Sequence, residues 1–235
     1  MSTNIIQVAG LSVELVRKPI KNLHIGVYPP SGHIRVATPL ELSNDAVKIA
    51  IIKRLDWVKN KQREFLQQAR QSERQYVSGE THFVFGRPRR LVVETMECRR
   101  CTIRIEGSDR LAMVVPEGSS SQQKAKWMAN WYRSQLTTQV TPRISKIADG
   151  LGLPTPEWRI RSMKTKWGSC NVAKELIWLN LELAKKPVTA LEYVILHEMA
   201  HFITTKHDAT FVAVLDAQMP SWRQVRADLN ALPLS

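Results

Sequence analysis

The chain is poor in cysteine, with three in 235 residues, and these supply no disulfide framework. A reducing compartment, the cytoplasm, is therefore the expected setting. No run of eighteen apolar residues exists, so no transmembrane helix and no membrane partner are expected. The opening residues Met1-Ser2-Thr3-Asn4-Ile5 lack the basic start and apolar stretch of a signal peptide. There is no internal repeat, no low-complexity segment and no recognisable nucleic-acid-binding motif. Cys98-Arg99-Arg100-Cys101 is a lone C-x-x-C in a strand-like stretch; with no second pair it falls short of a structural four-ligand metal site and reads as incidental thiols.

What is present is ordinary for a globular protein. Hydrophobic residues make up 43% of the chain, enough for a sizeable core in one domain or two small ones. Short strand-like runs fill residues 5–37 and 76–116, with Gly107-Ser108-Asp109 as a hairpin turn. Ser43-Asn44-Asp45 opens a helix expected to reach about Ser72, with Val47, Ile51, Leu55, Val58, Phe65 and Leu66 on its apolar side. Glu117-Gly118-Ser119-Ser120-Ser121 is the clearest punctuation. A long helix follows to about Asp149, in which Pro142 is expected to make a kink or a break. The predicted class is α+β: a basic, strand-rich region over residues 1–118 with a long helix after it, and a helical catalytic region over 119–235.

The feature that carries chemistry is His197-Glu198-Met199-Ala200-His201. Residues i and i+4 share one helix face, so two imidazoles spaced this way can grip one zinc ion, while the glutamate between them reaches the zinc-bound water. A chain with six histidines would show this pattern by chance about 0.01 times. Leu191, Val194, Ile195, Met199, Phe202 and Ile203 recur at helical spacing around it, so the motif sits in a core helix where unpaired polar groups are costly. Thr189 and Glu192 predict a capping box at its start, and Thr204-Thr205-Lys206 its end. His207 is the preferred third ligand, delivered by a short turn, and Asp216 is the alternative acid. Asp208 is placed to cap the next helix, Ala209 to about Gln218, with Phe211, Val212, Val214 and Leu215 inward. Ser221 and Gln224 form a second possible capping box, for a last helix.

Lys166-Trp167-Gly168-Ser169-Cys170, Ile177-Trp178-Leu179-Asn180, Tyr193 through His201, and His207 with Phe211 together resemble the YgjP-like metallopeptidases, relatives of the SprT-like zinc proteases. The likeness is specific from about Arg161 to Arg226. Met199 stands where the family usually has leucine, and Val212 where tryptophan is common. The resemblance implies a zincin-like fold, His197, His201 and His207 as zinc ligands, and Glu198 as catalytic base.

The expected function is zinc-dependent hydrolysis of peptide bonds, with a protein or peptide as substrate and Glu198 as general base. Tyr193 and Arg161 are the candidates for an additional oxyanion donor. Charge adds a second expectation. Residues 1–150 carry 24 Lys and Arg against 13 Asp and Glu, a balance of +11, whereas 151–235 carry 10 against 8. Arg17-Lys18, Arg87 to Arg90 and Arg99-Arg100 concentrate this excess. The alternative reading is thus a DNA-associated protein, a possible restriction–modification partner, with nucleic acid held by basic residues in 1–150 and proteolysis recruited to it, or with a structural zinc.

Overall fold

A computed structural model of the chain describes residues 3–28, 31–67 and 74–232. They form two compact units, one up to residue 67 and the other from residue 74. Among the described residues no helix is long and apolar enough to cross a membrane. The mixture of three sheets and six helices is α+β.

The first unit is a four-stranded sheet with two helices. Strands β1 (Thr3–Val8), β2 (Leu11–Lys18), β3 (His24–Tyr28) and β4 (His33–Pro39) lie in the order β1-β2-β4-β3, with a parallel β2–β4 pair between two antiparallel ones. Val13 and Leu15 of β2 and Ile34 and Val36 of β4 alternate inward, the period-2 signature of a half-buried sheet. They meet Val47, Ile51 and Val58 from α1 (Asn44–Ile52) and α2 (Leu55–Gln67). Ser43 caps α1, its hydroxyl accepting from the Ala46 N–H at 3.2 Å. The single helix expected from residue 43 is two. At Arg54 the ladder tightens to a bond with Ile51, three residues back. The expected end near Ser72, and the side chains of Phe65 and Leu66, lie outside the described residues, as do Pro29 and Pro30.

The second unit holds the motif. Strands β5 (Thr81–Val84), β6 (Arg87–Met96), β7 (Thr102–Glu106) and β8 (Arg110–Pro116) lie in the order β5-β6-β8-β7. Here too a parallel pair, β6–β8, separates two antiparallel ones. The two four-stranded sheets therefore share one topology, although no repeat is detectable in the sequence. Residues 107–109 make the expected turn between β7 and β8.

The punctuation at 117–121 joins β8 to α3 (Ser121–Leu151), which opens with a capping box between Ser120 and Gln123 and closes on Gly152 in the left-handed region at φ 65°. Its buried residues are Met128, Tyr132, Leu136, Val140, Ile144 and Ala148, every fourth position. Four residues advance 400° around a helix, so this stripe turns by about 40° per step and about 200° from end to end. One helix thus serves different neighbours along its length, while Trp127 and Trp131 are only partly buried. Pro142 does not divide it. The Thr141 hydroxyl bonds the Thr137 carbonyl and the Arg143 guanidinium bonds that of Gln139, covering carbonyls on either side of the one Pro142 leaves without a donor.

A third sheet, in the order β10-β11-β9, comprises β9 (Glu157–Arg161), β10 (Gly168–Asn171) and β11 (Leu176–Asn180). Ile177 and Leu179 of the central strand point into the core beside α4 (Val188–Ala200). Nine of the thirteen α4 residues are buried, as expected for a helix apolar nearly all round. Its start is anchored from a distance: Phe85 and Gly86, in the β5–β6 turn, donate to the carbonyls of Ala184 and Lys185 at 2.8 and 3.2 Å. The chain ends in α5 (Ala209–Gln218) and α6 (Trp222–Ala231).

Candidate metal centre

Helix α4 carries His197 and His201 on one face, one turn apart, and ends at Ala200 with His201 as its C-cap. The expected capping box does not form. Pro187 takes the N-cap position without a side-chain bond, and Glu192 instead accepts from Arg143 of α3 at 3.1 Å. The chain then winds down through a turn rather than continuing helically to residue 204: Phe202 N–H bonds Met199, and Ile203 and Thr204 both bond the Ala200 carbonyl. Asp208 organises the next segment. One carboxylate oxygen caps α5 by accepting from Phe211 N–H at 3.1 Å, and the other accepts from the Thr204 hydroxyl at 3.2 Å. Helix α5 spans the expected residues, with Phe211 and Leu215 buried.

This turn brings His207 back against the helix. Its Nε2 lies 3.2 Å from Nε2 of His197, and one ring nitrogen each of His197, His201 and His207 falls within 4.8 Å of the others. Phe211 packs on all three rings, with centroid distances of 4.5 to 5.1 Å. Asp216, the alternative acid, is engaged elsewhere, by Arg223 and by the Trp222 indole N–H.

The three histidines fit a metal ion. His201 Nδ1 lies 3.2 Å from the Thr204 carbonyl, which can only accept, so Nδ1 is the nitrogen that carries a proton and Nε2 is the one whose lone pair can face a metal. Burial first, then the neighbouring histidines and Arg226, lower the pKa of His197 to about 4; burial and His201 also lower that of His207. Neutral imidazoles are the form that binds metal. Two nitrogens bound tetrahedrally at about 2.0–2.1 Å would stand about 3.3 Å apart, close to the His197–His207 spacing.

The family model described as "YgjP-like, metallopeptidase domain" matches residues 21–232. The chain belongs to the YgjP-like metallopeptidase family. Membership implies a metal ion and a protein or peptide substrate for this YgjP-like protein. Two solved structures also align. The metallopeptidase zymogen of Pyrococcus abyssi abylysin is 21% identical with a TM-score of 0.37, over 38% of this chain and 90% of that one. That of Methanocaldococcus jannaschii jannalysin is 21% identical with a TM-score of 0.36, over 38% and 92%. No functionally curated protein matches.

Glu198 occupies the same cleft, of about 420 Å³, with only 6% of its surface exposed. Burial raises its carboxyl pKa to about 7, against the Lys166 charge and the Cys170 N–H that bonds it. The Trp-Gly-Ser-Cys segment behind it leads into β10, an edge strand. Gly168 is tight against the base: a Cβ there would lie 2.6 Å from Glu198 Oε1 and 2.9 Å from Val194 Cγ1.

Of the two oxyanion candidates, Tyr193 lines the cleft, its hydroxyl 3.4 Å from His197 Nδ1 and its ring stacked on Trp222. Arg161 does not line it and lies over the Trp178 ring at 4.6 Å. Sequence reading missed Lys166 and Arg226 as cleft residues. A signal existed for Arg226: Trp222, Val225 and Leu229 mark the core face of α6, which puts residue 226 at its margin. Ser221 forms no side-chain cap on α6, and Gln224 bonds Asp228 instead.

The basic segments are partly consumed by the fold. Arg17 donates to the carbonyls of Leu40 and Leu42 and to Asn44, and Arg89 is buried with a bond to the Gly107 carbonyl. Cys98 and Cys101 are free thiols, and burial pushes Cys101 up to about 11.

Proposed function

We propose that this YgjP-like protein is a zinc-dependent peptidase in which His197, His201 and His207 hold the ion and Glu198 is the general base. The observation that carries the reading is the meeting of three histidine nitrogens within 4.8 Å in one cleft with a buried carboxylate. Zinc, when bound, supplies Lewis acidity that acidifies a water molecule and polarises the scissile carbonyl. Glu198 takes the proton of the attacking water on its carboxylate and passes it to the leaving amine. Burial of that carboxyl raises its proton affinity, which favours uptake of the proton from water. The Cys170 N–H and the closely packed Gly168 fix where that carboxylate sits. The free edge of β10 borders the cleft and can add an extended peptide as a further strand.

Metal analysis of the purified chain, combined with hydrolysis of an unfolded generic protein, tests this. Glu198→Gln is expected to keep zinc and lose about 10²–10⁴-fold in rate. Full activity in that variant would rule out the base, and unchanged zinc affinity in His207→Ala would rule out the third ligand.

A further inference from the structure

Helix α6 carries two arginines with different fates. Arg223 is neutralised by a two-point ion pair with Asp216 and lies over the Trp222 ring. Arg226 stands one turn beyond Trp222, on the margin of the helix that opens into the metal cleft. Among the described residues it makes no hydrogen bond and no ion pair. It lines the same cleft as His197, His201 and His207.

The rest of the lining adds to this charge. Lys166 contributes a second cation that forms no ion pair among the described residues. The single acid lining the cleft is Glu198, which is buried and committed to the chemistry. A cleft with two cations at its rim and no acid to spare has a positive field, and ligands with carboxylates are drawn to such a field. Between the two cations, the guanidinium is the better shaped to receive one. Its planar fork of N–H donors matches a carboxylate at two points, whereas an ammonium is a point charge.

We propose that Arg226 is a specificity-determining residue that receives a carboxylate of the peptide near the scissile bond. The proposal rests on the peptidase reading above and names the substrate class it implies: peptides acidic at that position, or peptides bound by their C-terminal carboxylate. Both sources present the same planar anion to the same fork.

The test uses the zinc-loaded full chain and four matched fluorogenic peptides. They carry either glutamine or glutamate beside the cleavage site, each with a free or an amidated C-terminus. The wild type is expected to favour one carboxylate source by about tenfold or more in kcat/KM, the effect of one charge-assisted two-point contact. Preference for glutamate identifies the side chain, and preference for the free terminus identifies the terminal carboxylate. Arg226→Gln is expected to abolish that ratio, and Arg226→Glu to bring it below one. A wild type indifferent to carboxylates overturns the proposal, as does an Arg226→Gln variant whose ratio is unchanged.

Titration of the same peptides onto zinc-loaded Glu198→Gln, with and without Arg226→Gln, separates this proposal from the peptidase reading. Tighter binding of carboxylate peptides that depends on Arg226 supports the recognition site even if no peptide is cleaved. Equal binding of all four peptides refutes it even if all are cleaved.

Discussion

Replacing Gly168 with alanine adds one methyl group at the most confined point of the cleft. The new Cβ would lie 2.6 Å from Glu198 Oε1, 2.8 Å from Glu198 Cγ and 2.9 Å from Val194 Cγ1. Ordinary contacts between such atoms begin near 3.5 Å, so the carboxylate must move by about 0.9 Å or β10 must recede. Gly168 is not among the glycines at positive φ, so alanine meets no backbone penalty and the effect is steric alone. The carboxylate is the free end of a flexible side chain and yields at little cost, so the loss in stability should sit near the lower end of overpacking, about 1 kcal/mol. Catalysis is less forgiving. A displacement of about 1 Å at a reacting group costs about 10²-fold, or about 2.7 kcal/mol in activation free energy. The expected outcome is a kcat reduced about a hundredfold, full zinc occupancy and a slightly lowered urea midpoint. The assay is hydrolysis at saturating zinc, alongside metal analysis and urea unfolding. Wild-type kcat in zinc-replete Gly168→Ala would refute the idea that β10 sets the position of the base.

Two further outcomes rest on the same structure. His82 is 2% exposed, and burial first, then the Arg74 charge, lowers its pKa from 6.5 to about 4 despite a bond with Glu80. Below pH 6.5 the unfolded chain takes a proton that the folded one refuses, so stability is full above that pH and declines as pH falls toward 4, by up to about 3 kcal/mol. Urea unfolding at pH 7.5 and pH 5 should show about 2 kcal/mol of this loss in the wild type and a smaller one in His82→Gln; equal losses would contradict it. Asp208→Ala removes both the α5 cap and the acceptor for Thr204, at a cost of about 1 kcal/mol in stability. Because that loop carries His207, zinc affinity measured by chelator competition should fall about tenfold or more, and an unchanged affinity would show that the loop holds its shape without Asp208.

Much of this was legible in the sequence because periodicity and spacing are local. The apolar repeat around His197 and His201 marks α4, and Asp208 followed three residues later by Phe211 marks the α5 cap. What escaped was decided by partners remote in the chain. Glu192 looks like a capping residue until Arg143, 49 positions earlier, claims it. Strand β10 is four residues long and reads Gly-Ser-Cys-Asn, without alternation or β-propensity; it is a strand because β11 offers it a register. The shared topology of the two four-stranded sheets lies in their pairing, which composition does not encode. Arg226 enters the cleft from the last helix, far from any motif, and only the packing of α6 on α4 brings it there.

The two backbone bonds from Phe85 and Gly86 to Ala184 and Lys185 bear on how the protein fails. They tie the β5–β6 turn to the last residues before Pro187, from which α4 starts. Gly86 sits so close to Pro187 that a Cβ there would approach the proline ring at 3.0 Å. Fraying of the sheet therefore loosens the first turn of the helix that carries the histidines. In the second unit, unfolding that begins in this sheet reaches the start of the histidine-bearing helix through two backbone bonds.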